Sequence, residues 1–198
     1  MILEGIVTTL SSAGGMHVAP MGPHVDPQTD QFILRPYSTS QTYHNLKRHG
    51  EGVFHVTDDV LLLAQAAVGR IDPLPPCFPA TRVKGFVLAD ACRYYEFRVT
   101  TVDDRADRVR IDIDIVHTGH IRDFFGFNRA KHAVVEAAIL ATRTDFLPLV
   151  EIEQEYRKLA VLVHKTGGPK EHQAMAFLQA HLDEINSLRA SESRGVQI

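Results

Sequence analysis

Seven consecutive residues, Val109-Arg110-Ile111-Asp112-Ile113-Asp114-Ile115, alternate apolar and charged without a break. A period of two puts every β-branched side chain on one face of a strand and every charge on the other. The segment therefore predicts an antiparallel strand with one buried and one wet face. Residues 93–102 read as its partner, and the turn Asp103-Asp104-Arg105-Ala106-Asp107 joins the two as a hairpin. A long two-faced hairpin must bury its apolar side against more sheet or against helices.

The rest of the first 120 residues supplies that material. Strands are predicted at 2–10, 16–21, 31–35, 52–57 and 85–91, the first two joined by Ser11-Ser12-Ala13-Gly14-Gly15. Ser40 can cap a short helix through Lys47, with Gly50 closing it. Asp58 or Asp59 can cap another through Val68, ended by Gly69. Residues 72–79, Asp-Pro-Leu-Pro-Pro-Cys-Phe-Pro, read as a loop, because proline cannot donate to a ladder. After residue 120 the texture changes to helical spacing, over 128–143, 151–165 and 170–190. Gly167-Gly168-Pro169 separates the last two helices. Six to seven strands in meander order predict an α+β protein: an antiparallel β-barrel domain over 1–120, a helical C-terminal region packed on it over 121–190, and a polar tail over 191–198.

Composition narrows the function. A net charge of −3 without a long basic run argues against a nucleic-acid surface. Two distant cysteines, Cys77 and Cys92, make neither a disulfide framework nor a metal motif, which points to the cytoplasm. No apolar run approaches the ~18 residues of a membrane span, and no export signal opens the sequence. His117 and His120 lack the further ligands a metal needs, so no metal is expected. Gly-x-Ser-x-Gly, His-Glu-x-x-His and Cys-x-x-Cys are all missing from the sequence, as are the Walker and Rossmann glycine patterns.

Three stretches carry chemistry instead. In Arg35-Pro36-Tyr37-Ser38-Thr39-Ser40-Gln41-Thr42 a strand ends in arginine and a hydroxyl-rich turn opens a helix whose first turn has no acid. Free N–H groups, hydroxyls and a guanidinium could converge there on a phosphate; the alternative is an ordinary Ser/Thr cap beside a surface arginine. The hairpin end Met16-His17-Val18-Ala19-Pro20-Met21-Gly22-Pro23 leaves backbone groups unpaired beside its prolines, where a planar heterocycle could dock or the strand could simply run out. In Gly126-Phe127-Asn128-Arg129-Ala130-Lys131-His132, Asn128 caps a helix whose first turn carries two cations. Each opposes the helix dipole by roughly 0.3–1 kcal/mol. Either an anion docks there or a distant carboxylate, such as Glu136, offsets the charge.

Taken together, residues 4–9 (Glu-Gly-Ile-Val-Thr-Thr), Ala19-Pro20-Met21-Gly22, Arg35-Pro36, Thr42-Tyr43-x-Asn45-Leu46 and above all Phe125-Gly126-Phe127-Asn128-Arg129-Ala130 with Glu136-Ala137 resemble the DUF447 family. That is a mainly archaeal group within the flavin-reductase-like, FMN-binding split-barrel superfamily. The resemblance spans about residues 1–185. It implies a split β-barrel homodimer with FMN near the interface, the flavin ring along Ala19, Pro20, Met21 and Gly22, and the phosphate at Ser40, Gln41 and Thr42. Arg35, Ser40 and Thr42 form the expected phosphate cradle, with Thr9 and His17 at the flavin edge. Arg129 and Lys131, with Asn128, are the second choice, either on the same phosphate from the partner chain or on an anionic small-molecule substrate. The implied function is flavin-dependent hydride transfer; FMN storage, or binding of another phosphorylated ligand, stands beside it.

Overall fold

The computed structural model describes residues 1–26 and 31–195, with 192–195 by backbone alone. It is an α+β protein whose contacts divide it into two units. The first holds Met1–Asp58 and Asp72–Phe125; the second holds Asp59–Ile71 and the chain from Gly126 onward.

The hairpin built on the Ile-Asp alternation is the longest strand pair. Strands β8 (Arg93–Asp103) and β9 (Arg110–His120) pair from Arg93 against His120 to Asp103 against Arg110. Ile111 and Ile113 are buried while Arg110 and Asp114 are exposed, as the alternation requires. The strand runs five residues beyond Ile115. The register shift at Glu96/Phe97, which leaves Val116 extra on β9, breaks the alternation there while pairing continues, so hydropathy could not show it.

Five more strands complete the sheet: β1 (Gly5–Leu10), β2 (Met16–Met21), β3 (His24–Asp26), β4 (Gln31–Leu34) and β5 (Glu51–Val56). The order is β2-β1-β5-β8-β9-β4-β3, and each neighbouring pair is antiparallel. The sheet curls until its ends meet. Ile2 bridges His24, the Leu3 N–H donates to the Pro23 carbonyl at 3.1 Å, and the Val25 N–H donates to that of Met1 at 2.8 Å. Strand β3 has three residues and no alternation, so nothing in the sequence marks it. Within the predicted 72–79 loop, β6 (Cys77–Pro79) pairs with β7 (Phe86–Leu88) as a separate two-stranded ribbon. Pro79 fits because it sits at the end of an edge strand.

The inside of the curl is filled by Val7, Leu34, Phe54, Phe97 and Ile111, and by Tyr43 and Leu46 from helix α1 (Gln41–His49). Ser40 caps α1 by accepting from the Tyr43 N–H, and Gly50 ends it at φ 66°, its N–H donating to the Leu46 carbonyl. Two glycines face aromatic rings across the ladder. A Cβ on Gly52 would stand 2.6 Å from the Phe97 ring, and one on Gly119 would stand 2.1 Å from that of Tyr94. In each case the ring belongs to the directly opposite residue. Buried His55 joins three strands. It accepts the Leu88 N–H at Nε2, 3.1 Å, so its own proton lies on Nδ1, 3.2 Å from the Ile6 carbonyl. Burial pushes its pKa down to about 4.

The second unit is helical: α2 (Val60–Ala67), α3 (Arg129–Ala141), α4 (Leu149–Thr166) and α5 (Pro169–Gly195). Ala130, Ala133, Ala137, Ala138 and Ala141 form the buried stripe of α3, and small side chains let neighbouring helices approach closely. The Tyr156 hydroxyl donates to the Ala137 carbonyl at 2.7 Å. Helix α5 continues past Ala190 to Gly195, since no glycine or proline intervenes; the remainder of the expected 191–198 tail lies outside the described residues.

Gly119→Ala should destabilise the protein by about 1–3 kcal/mol through overpacking. Adding Tyr94→Ala should recover part of that loss, which a double-mutant cycle on thermal unfolding will read. For His55, the folded pKa lies below the ordinary 6.5, so its contribution is full above pH 6.5 and lost as pH falls toward 4. The stability difference between wild type and His55→Gln should shrink by about 3 kcal/mol over that window, measured by denaturant unfolding.

Candidate functional site

The start of α1 and the β1–β2 hairpin share a polar cluster in the first unit. Thr9 on β1 lies directly opposite His17 on β2. The His17 Nε2 is 3.4 Å from the Thr42 hydroxyl, and buried Thr9 accepts from the Asn45 amide at 3.0 Å. Gln41 donates to the Asn45 carbonyl oxygen at 2.7 Å, which Arg48 also approaches at 3.4 Å. Burial lowers the His17 pKa, so its ring is neutral at pH 7. The first turn of α1 holds no acid. The Ser40 hydroxyl is engaged at both ends, accepting from Tyr43 and donating to the Tyr37 carbonyl at 2.7 Å. Among the described residues no hydrogen bond occupies the N–H groups of Gln41 and Thr42, which lie where a helix has no internal acceptors.

The other expected ring contacts lie on or just past β2. Ala19 and Pro20 are partly exposed on it. The Met21 side chain is turned into the core and 8% exposed, so it offers only backbone outward. Gly22 is hemmed in: a Cβ there would stand 2.8 Å from the Ile2 side chain and 3.4 Å from the Glu4 carboxylate.

Arg35 lines an open cavity of about 430 Å³ with Asp103, Arg105, Ala106, Arg108 and Arg110 at the β8–β9 turn. No described hydrogen bond links it to Ser40 or Thr42. Its Nε is buried without a hydrogen-bond partner, at a cost of about 1–3 kcal/mol for a donor left unmade.

Asn128, Arg129 and Lys131 belong to the second unit. Asn128 caps α3, its Oδ1 accepting from the N–H groups of Ala130 at 2.8 Å and Lys131 at 3.1 Å, while its Nδ2 donates to the Thr166 carbonyl. The carboxylate that offsets the charge of this turn is Glu171 of α5, not Glu136. Lys131 Nζ lies 2.9 Å from Glu171 Oε1, and Glu171 Oε2 accepts the Gly168 N–H at 2.8 Å. Burial alone would raise the Glu171 pKa; the bonds from Lys131 and Gly168 outweigh it and hold the carboxyl below its usual range. The charge of Lys131 is therefore compensated within the fold, whereas Arg129 is exposed and makes no ion pair among the described residues.

Asn45, Arg48 and the arginines of the 103–110 turn were not among the expected site residues. Gln41 and Asn45 are one helical turn apart, a spacing the sequence does show. The turn arginines meet Arg35 only through the β4–β9 pairing. His117 packs on the Tyr94 ring, and His120 pairs with Asp123 at 3.1 Å. Among the described residues, no group of three or more His, Cys, Asp or Glu is placed to hold a metal, and no helix is long and apolar enough to cross a membrane.

Two family models match the chain: the N-terminal domain of a protein of unknown function, DUF447, over residues 3–122, and its companion DUF447 model over 128–180. Among solved structures, an FMN-bound Methanosarcina mazei protein of the DUF447 model shares the fold with a TM-score of 0.79 at 22% identity, covering 91% of this chain and 94% of that one. A 2-nitrobenzoate 2-nitroreductase from Pseudomonas fluorescens aligns with a TM-score of 0.51 at 16% identity, covering 59% and 64%. Nitrilotriacetate monooxygenase component B from Mycobacterium thermoresistibile aligns at 0.52 and 12% identity, covering 62% and 71%.

Lys131→Glu should destabilise the helical unit by about 1–3 kcal/mol, because it sets two carboxylates against each other where Glu171 is buried. Differential scanning calorimetry will check the sign: a gain in stability would mean that the pair contributes nothing.

Proposed function

The chain belongs to the DUF447 family, and on that premise we propose that it binds FMN and works as a flavin-dependent oxidoreductase on a small-molecule substrate. The observation that carries this reading is the acid-free start of α1 set against Thr9 and His17. The N–H groups of Gln41 and Thr42, with the Thr42 hydroxyl, suit a phosphate at the positive end of the helix dipole. Neutral His17 and the exposed edge of β2 at Ala19 and Pro20 suit one side of a planar ring. FMN, when bound, supplies hydride acceptance and donation, and the protein supplies position and electrostatics. The FMN bound to the M. mazei protein supports the choice of cofactor. We assign exposed Arg129 to attraction of an anionic substrate.

We also infer a homodimer. Phe125 is 93% exposed and Phe127 is fully exposed, apolar surface that a partner subunit would cover. Sedimentation of the Phe125→Ala/Phe127→Ala variant should show monomers where wild type shows dimers.

The purified protein should be yellow or bind added FMN, with flavin absorbance bands. Thr42→Val should weaken FMN by about 1.5–3 kcal/mol, the range for a hydrogen bond to a charged group, as read by fluorescence titration. A protein that neither carries nor takes up FMN would refute this reading. FMN binding without oxidation of reduced nicotinamide or another donor would limit the function to flavin binding.

A further inference from the structure

We propose that the arginine cavity at the β8–β9 turn is a second anion site, which takes a phosphate of a ligand other than FMN. The cavity gathers Arg35, Arg105, Arg108 and Arg110 against one lining carboxylate, Asp103. Two of the four are already committed. Arg105 forks onto Asp103 at 2.5 and 2.8 Å, and Arg110 forks onto Asp112 at 2.7 and 3.0 Å. Nearby Asp104 is held by Lys47 and the Tyr43 hydroxyl, and the Asp107 carbonyl accepts the Ser38 N–H. Arg35 and Arg108 remain for a ligand. The Arg35 Nε is buried and unmet. Arg108 is preorganised: its guanidinium lies 3.7 Å over the Tyr37 ring, and its Nη1 donates to the Arg35 carbonyl at 3.0 Å, leaving its remaining N–H groups for an acceptor. Two guanidiniums lining one cavity, one after β4 and one on the β8–β9 turn, suit the oxygens of a phosphate.

The cavity, at about 430 Å³, is roomier than one ion needs and reaches the range of small-ligand sites. Its lining shares no residue with the α1 start, although Tyr43 and Lys47 of α1 bond to Asp104 of the same turn. Between Arg35 and Ser40 the chain is tied to the turn, with Tyr37 bridging Arg108 and Ser38 bonded to Asp107. Yet both lie at one end of the sheet. Successive antiparallel pairing makes β1, β8 and β4 parallel, so Thr9, Asp103 and Leu34 all lie toward the same end. A ligand held there by its phosphate would share that end with the flavin site. Two sources fit this chemistry: a phosphorylated nucleotide acting as electron donor, and a phosphorylated substrate.

The inference rests on the preceding reading only in assigning the α1 start to the FMN phosphate. Its test is calorimetric titration of inorganic pyrophosphate into the full-length protein, with and without saturating FMN. Pyrophosphate should bind equally in both. Arg108→Gln, at an exposed position, and Arg35→Gln should each weaken it at least about tenfold while leaving FMN affinity within about twofold. Circular dichroism confirms that the variants fold. Adenosine 2′,5′-bisphosphate displacing pyrophosphate more tightly than inorganic phosphate does would identify a nucleotide; equal displacement would identify a phosphorylated substrate. Competition between pyrophosphate and FMN, or loss of FMN affinity in either arginine variant, would mean that the cavity holds the flavin's own phosphate and would overturn the proposal. Absence of pyrophosphate binding to wild type would overturn it as well. If the protein takes no FMN but pyrophosphate binding still depends on Arg35 and Arg108, the anion site stands and the flavin reading fails.

Discussion

The curl of the seven-stranded sheet depends on aromatic rings lying across glycine backbone. Phe97 covers Gly52 and Tyr94 covers Gly119, each directly across the ladder. Phe54, opposite Val7, reaches along β1 to Gly5, where a Cβ would stand 2.6 Å from its ring. The contacts fall on β1, β5, β8 and β9, the consecutive strands through the middle of the order. Any side chain at these glycines would lift the ring off the sheet, and a flatter sheet could not bring β3 back to Met1, Ile2 and Leu3.

What the curl creates is a sheet end furnished with polar side chains and an interior stoppered by one short helix. Tyr43 and Leu46 anchor α1 in the apolar interior, while buried Thr42 and Asn45 on the same helix meet His17 and Thr9 of the β1–β2 hairpin and Gln41 stays exposed. Two buried polar side chains that alternate with the interior rings Phe54 and Phe97 are saturated. His55 spends both nitrogens on backbone, and the Glu96 carboxylate accepts the N–H groups of Thr81, Arg82 and Val83. Against that background an unmet Arg35 Nε and two free N–H groups on α1 stand out as places where a ligand would complete the hydrogen bonding.

Local signals made much of this legible. The Ile-Asp alternation located β9, Ser40 and Gly50 bounded α1, and Asn128 began α3, because caps and two-residue periods act within a few residues. What stayed hidden needed pairing across the fold. Strand β3 is too short to carry a pattern, and β9 outruns its own alternation past a bulge. Lys131 looked like an unpaired cation because Glu171 lies 40 positions later in the chain, brought near only by the packing of α5. Arg35 appeared bound for Ser40 because the two are close in sequence. Strand pairing also brings it to Arg108, 73 positions downstream, which its neighbours in sequence do not show.

Helix α2 lies between β5 and β6 in the chain yet belongs with α3, α4 and α5, so the chain passes between the units three times. Its ties are long: Arg70 meets Glu184 across 114 positions, and Lys170 meets Asp59 across 111. During synthesis α2 emerges with its apolar face uncovered and waits for most of the remaining chain before its partners exist. Neither unit can be cut out at a single peptide bond, and the first unit must accommodate an unpaired hydrophobic helix in its midst until the C-terminal helices arrive.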